Sequence, residues 1–206
     1  EDVQIITGAK VPIVKFIDPR SGLHVDISIN NTLALHNTRL LSGYANSDSR
    51  VKELAICVKH WALHRNVSDS VNGTLSSYAW SILVISHLQE EGVIANLQSG
   101  EGRVVIELDD SEFDITINEE NKPEANSDLN LTNLLLSFFT NLATRDWENN
   151  VVSIRNGGSI SRKEKGWKNE NPSALDILNS EKEHPPRMGE HHLAIEDPFD
   201  PDHDLC

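Results

Sequence analysis

Two cysteines, Cys57 and Cys206, in 206 residues are too few for a disulfide framework. A reducing compartment is the default reading, with Cys57 an ordinary thiol within a helix. No Cys/His spacing suggests zinc, and the adjacent His191 and His192 make poor co-ligands on any regular element. No apolar run reaches the ~18 residues that a membrane span needs. The N-terminus lacks the basic-then-apolar pattern of a secretory signal and does not begin with Met, which reads as a piece of a longer chain. Basic residues are outnumbered: 18 Lys and Arg against 32 Asp and Glu give a formal charge of −14. Such a charge speaks against a broad nucleic-acid footprint, but it leaves room for a local basic groove. There is no internal repeat, P-loop, nucleophile elbow or dinucleotide fingerprint.

What is present fits a globular protein of one or two domains, with 38% hydrophobic and 24% charged residues. Residues 2–30 read as strands. Pro12 places the stretch Val11–Ile17 at a strand start or an edge. From Leu23 to Ile29 the pattern alternates strictly, so Asp26 faces away from the apolar side. Two readings fit Asp26: a solvated strand face, or a carboxylate presented from a rigid sheet to a metal ion, since hard cations take oxygen ligands.

Asn30-Asn31-Thr32 caps a first helix that includes Asn37 and Thr38. The stretch Arg50–Tyr78 organises the rest. Val51, Leu54, Ala55, Val58, Trp61 and Ala62 recur at the spacing of one buried helical stripe, and Lys59 lies off it. A polar loop, Asn66–Gly73, leads to Thr74-Leu75-Ser76-Ser77-Tyr78 and an apolar run, which is the signature of a helix start. A helix start exposes N–H groups and positive partial charge. A lysine-bearing helix beside it is suited to hold a phosphate; capping and a solvated helix face explain the same residues.

The helix after Tyr78 is apolar nearly all round, hence buried, and Gly92 ends it. Residues 98–128 read as a surface insertion carrying much of the negative charge. Asn130 caps a helix from Leu131 to Thr144, with Leu131, Leu134, Leu135, Phe138 and Leu142 as its core stripe. The strand Val151–Arg155 and a Gly157-Gly158 turn precede a basic stretch, Arg162–Lys168, which reads as a solvated loop or as a contact for single-stranded RNA. Residues 169–190 read as a linker, and Leu193–Asp204 as a defined non-helical loop containing His203.

In this order the chain carries VPIVKF at 11–16, VDISINN at 25–31, RVKELAICVKHWA at 50–62 and GTLSSYAW at 73–80. VVSIRNGG at 151–158, KGW at 165–167 and IEDPFDPDH at 195–203 follow. Together these resemble the template-independent terminal nucleotidyltransferases of the polymerase-β superfamily, in particular the terminal uridylyltransferases and their poly(A)-adding relatives.

The resemblance implies an α+β fold. Residues 1–31 would be the last strands of a nucleotidyltransferase sheet, and 32–206 a mostly helical central, PAP-associated domain with an insertion around 98–128. It implies an RNA 3′-terminal uridylyltransferase working with Mg²⁺ (or Mn²⁺), with UTP and an RNA 3′ end as partners. The implied protein is a cytoplasmic monomer without a membrane anchor, the nucleus being the alternative location.

Asp26 matches the third metal-binding carboxylate, and the first two would lie before residue 1, so the piece alone is expected to be inactive. Asn37 and Thr38 match residues near ribose and base, Lys59 a triphosphate lysine and Ser77 a phosphate-contacting hydroxyl. Tyr78 matches the aromatic on which the base stacks, and His203 the histidine that favours uracil over adenine. One departure is Leu63, which stands where the family often has a second phosphate lysine. The alternatives are a poly(A)-type polymerase and an inactive RNA-binding scaffold of the same fold.

Overall fold

The computed structural model describes residues 3–7, 12–108, 111–121, 128–167 and 193–206. Residues 169–190, His191, His192 and Lys168 lie outside them. The architecture is α+β. It divides into two compact units, Glu1–Arg39 and Leu40–Cys206.

In the first unit β1 (Gln4–Ile6), β2 (Ile13–Ile17) and β3 (His24–Ser28) form an antiparallel sheet in that order. The turn between β2 and β3 is closed by Asp18. Its carboxylate accepts from the Ser21 amide and hydroxyl, at 3.1 and 2.5 Å. The register sets Lys15 directly opposite Asp26. The alternation expected for β3 holds, but Leu23, Ile27 and Ile29 on its apolar side are exposed.

The helix α1 (Thr32–Ser47) runs from the first unit into the second, where it buries Leu40 and Tyr44. Asp48 then caps α2 (Ser49–His64), accepting from the Arg50 amide at 2.9 Å. That helix buries Val51, Leu54, Val58 and Ala62 of the predicted stripe, with Ala55 and Trp61 half-buried. Ser76 caps α3 (Ser77–Glu90) through the Ala79 amide, and every residue from Ile82 to Gln89 is buried. Asn130 caps α4 (Leu131–Thr144), which buries Leu134 and Phe138. Trp61 of α2 meets Trp80 of α3 and Phe139 of α4 edge-on, at 5.8 and 4.7 Å between ring centres. Such T-shaped pairs add to the burial of the three-helix core.

Between α3 and α4 the insertion forms a hairpin, β4 (Val105–Leu108) with β5 (Ser111–Asp114). After α4, β6 (Asn150–Ser153) pairs antiparallel with β7 (Gly158–Ser161). Gly158 has φ +121° and lies against α3, where a Cβ would stand 2.5 Å from Glu90 Cγ. Its carbonyl accepts from Ser86 Oγ at 2.7 Å. Only glycine fits both constraints. The short α5 (Arg162–Lys165) begins with a capping box between Ser161 and Glu164. The closing segment 193–206 then lays Ile195 parallel to Val152 of β6.

Candidate functional site

Lys59 and Ser77 sit on neighbouring helices of the second unit. Lys59 is exposed on the outer face of α2. With Lys52, Ile56 and Ser81 of α3 it lines a groove of about 420 Å³, whose floor includes Leu41, Ala45 and Ile85. Ser77 opens α3 and is exposed; Ser81, one turn on, donates its hydroxyl to the Ser77 carbonyl at 3.0 Å. An ammonium and a capped helix start thus stand on adjacent elements, the pairing that suits a phosphate. Leu63, one turn after Lys59, is 64% exposed and adds no charge there.

Asp197, a residue not singled out in the sequence, lies beside His203, and its charge acts on Tyr78. Tyr78 is half-buried, and burial, reinforced by the Asp197 charge, pushes its phenol far above the ordinary value. The ring therefore stays neutral. Asp197 Oδ2 lies 3.7 Å from His203 Nδ1. Its other oxygen accepts from the Phe199 and Asp200 amides, at 2.9 and 3.2 Å. The Asp197 amide donates to the His203 carbonyl at 3.0 Å, and the His203 amide to the Asp200 carbonyl at 2.9 Å. The 197–203 loop is therefore folded around one carboxylate, with the His203 side chain 44% exposed. A flat, neutral phenol and an imidazole near a carboxylate are suited to read one edge of a planar base.

Asp26, Asn37 and Thr38 belong to the first unit. Asp26 is exposed on β3, with Lys15 Nζ 3.4 Å from its Oδ2. Asn37 is half-buried on α1; Thr38 is exposed, and its hydroxyl donates to the Ala34 carbonyl at 2.8 Å. Among the described residues no group of three or more His, Cys, Asp or Glu is placed to hold a metal ion. Asp26 offers one hard oxygen donor, and the Lys15 ammonium beside it competes for that charge. The described residues thus do not fit a complete Mg²⁺ or Mn²⁺ centre.

Three side chains of the basic stretch Arg162–Lys168 are built into the fold, while Lys163 is exposed. Arg162 is 3% exposed and donates Nε to the Trp147 carbonyl. Lys165 Nζ lies 2.6 Å from Glu196 Oε1, the carboxylate being buried and the lysine half-buried, and Trp167 packs with Val151 and Ala194. Neither the solvated loop nor the RNA contact expected there describes these three side chains.

Two family models match the chain. That for the central palm domain of mitochondrial-like poly(A) RNA polymerase covers residues 1–46. That for Cid1 family poly A polymerase covers residues 130–203. Human terminal uridylyltransferase 7 is 35% identical over 97% of this chain and 13% of its own length. The poly(A) RNA polymerase GLD2-A of Xenopus laevis is 35% identical over 78% of this chain and 33% of its own. A crystal structure of the Cid1 poly(U) polymerase with Mg 3′-dATP bound superposes with a TM-score of 0.75 at 29% identity, covering 99% of this chain and 59% of that one. The chain therefore spans less than two thirds of each of these relatives. A single ordered set of motifs, both family models and one shared fold agree, and the chain belongs to the terminal RNA nucleotidyltransferase family of the polymerase-β superfamily.

Proposed function

We propose that this chain is the nucleotide-gripping part of an RNA 3′-terminal uridylyltransferase. What supports the reading is the Asp197 carboxylate, which lies 3.7 Å from His203 Nδ1 and whose charge acts on the Tyr78 phenol. Tyr78 stacks the base. His203, oriented by Asp197, presents its ring to the edge that distinguishes uracil from adenine, and the larger purine is excluded by the loop. Lys59 and Ser77 hold phosphate. Asn37 and Thr38 approach the ribose and base. Asp26 contributes one carboxylate to a metal site that needs ligands beyond the described residues; divalent metal in such sites activates the attacking hydroxyl and steadies the leaving pyrophosphate. The piece alone is inactive on this reading, because one carboxylate does not organise such a centre. The RNA 3′ end, a monomeric state and a cytoplasmic location, with the nucleus as the alternative, belong to the same reading.

Similarity to the GLD2 polymerase and to the poly(A) family models favours a second reading, in which ATP is the substrate. Extension of a short RNA by the full-length protein, with UTP and ATP in parallel, decides between them. The uridylyl reading expects UTP to be preferred and His203→Ala to bring the two rates together. Equal rates in the parent, or a preference untouched by His203→Ala, reject it.

A further inference from the structure

The 197–203 loop is fixed at two ends by different means. Its base is tied to β6: the Val152 amide donates to the Ala194 carbonyl and the Glu196 amide to the Val152 carbonyl, both at 2.9 Å. The stretch beyond Asp197 needs another anchor. Pro198 lacks an N–H, so its backbone offers a carbonyl alone. Two side chains take it. Arg155 Nη1 donates to the Pro198 carbonyl at 3.0 Å, and Gln98 Nε2 donates to it at 2.9 Å.

Both donors come from the side of the insertion. Gln98 begins it. Arg155 lies in the one-turn helix after β6, and its Nη2 is 3.6 Å from Asp114 Oδ2 at the end of β5. The Asp114 carboxylate is itself held in place by the Thr116 hydroxyl at 2.6 Å and by Arg103 Nε at 3.0 Å. Burial works against its charge, but these donors and Arg155 together keep its pKa below the ordinary carboxylate value. The Arg155 backbone is fixed as well, its carbonyl accepting from Asn96 Nδ2 at 2.6 Å. A planar guanidinium thus spans from a fixed carboxylate to a loop carbonyl, a geometry that the single point of a lysine ammonium does not reproduce.

We propose that Arg155 is a positioning residue for base selection: it couples the insertion hairpin, through Asp114, to the Pro198 carbonyl and so sets the loop that carries Asp197 and His203. The proposal rests on the reading of His203 given above. Nothing in it requires Arg155 to touch the nucleotide.

Amide hydrogen exchange in the protein tests the coupling without any activity. Losing a charged donor to a carbonyl is an effect of about tenfold. Arg155→Ala is expected to speed exchange at Phe199 and Asp200 by that factor and to leave Val152 unchanged. Arg155→Lys is expected to recover part of the protection, and Asp114→Asn to lose part of it. Unchanged loop amides in Arg155→Ala overturn the proposal, and so does an equal rise at Val152, which marks a general structural role. In RNA extension by the full-length protein, Arg155→Ala is expected to reduce the ratio of UTP to ATP use more than it reduces kcat with UTP. If His203→Ala moves that ratio and Arg155→Ala does not, the positioning role fails and the base grip stands. If neither moves it, the base-grip reading fails, and with it the selection role of Arg155.

Discussion

At Tyr78 two contributions separate by substitution. Stacking of a base on an aromatic ring is worth about 1–3 kcal/mol, so Tyr78→Ala is expected to weaken UTP binding by about ten- to a hundredfold. Tyr78→Phe keeps the face and loses the hydroxyl, and is expected to stay within a few-fold of the parent. A nucleotide titration that finds both variants equal to the parent removes the base from this ring. The helix start at Ser77 and the place of Lys59 off the buried stripe were legible in the sequence because their patterns are local. Asp197 was not. Five acids crowd residues 196–204, and residue type does not rank them. What distinguishes Asp197 is its acceptance from the amides two and three residues on, an Asx-turn geometry for which the Asp-Pro-Phe run was the available signal.

The elements follow the pattern closely where the pattern is local. The stripe of α2 and the caps at Ser76 and Asn130 come from neighbours within four residues, so periodicity and capping chemistry find them. The packing of Lys165 was not foreseen because its partner is remote: it meets Glu196, 31 residues on. Inside α3 an apolar sequence on all sides concealed a buried histidine. His87 is 2% exposed between α3 and α4; its Nε2 lies 2.9 Å from Ser137 Oγ and 4.0 Å from Glu91 Oε1.

Desolvation lowers the His87 pKa below 6.5, against the pull of Glu91 and Glu90, with Arg145 adding to the lowering. The unfolded chain then binds the proton more readily than the folded one, so folding stability falls as pH drops below 6.5 toward the folded pKa. Denaturant unfolding at a series of pH values is expected to show this slope in the parent. His87→Asn, which does not titrate, is expected to show less of it, by at most one proton. Identical slopes contradict a buried neutral His87.

For the whole molecule, the second unit ties its final segment back through an ion pair whose carboxylate is buried. Lys165 and Glu196 join α5 to the final segment, and the second Glu196 oxygen has no partner among the described residues. Removing the ammonium strands a buried carboxylate, so Lys165→Met is expected to cost about 3–5 kcal/mol in unfolding experiments. A cost below about 1 kcal/mol would mean that water reaches Glu196. The α+β class followed from the resemblance, and the early strands and the long helices were readable in the sequence, whereas the β4–β5 hairpin, β7 and α5 were not. The long-range ties that turn the final segment back onto β6 were not, since no local pattern encodes which strand edge a distant segment will choose.

A double-mutant cycle on UTP binding tests the base grip most directly. Tyr78→Ala, His203→Ala and the double variant are compared with the parent by nucleotide titration. Residues serving one bound base are coupled, and the account predicts that the two losses fall short of adding by about 0.5 kcal/mol or more. Losses that add fully, or a single variant that binds UTP like the parent, would contradict it.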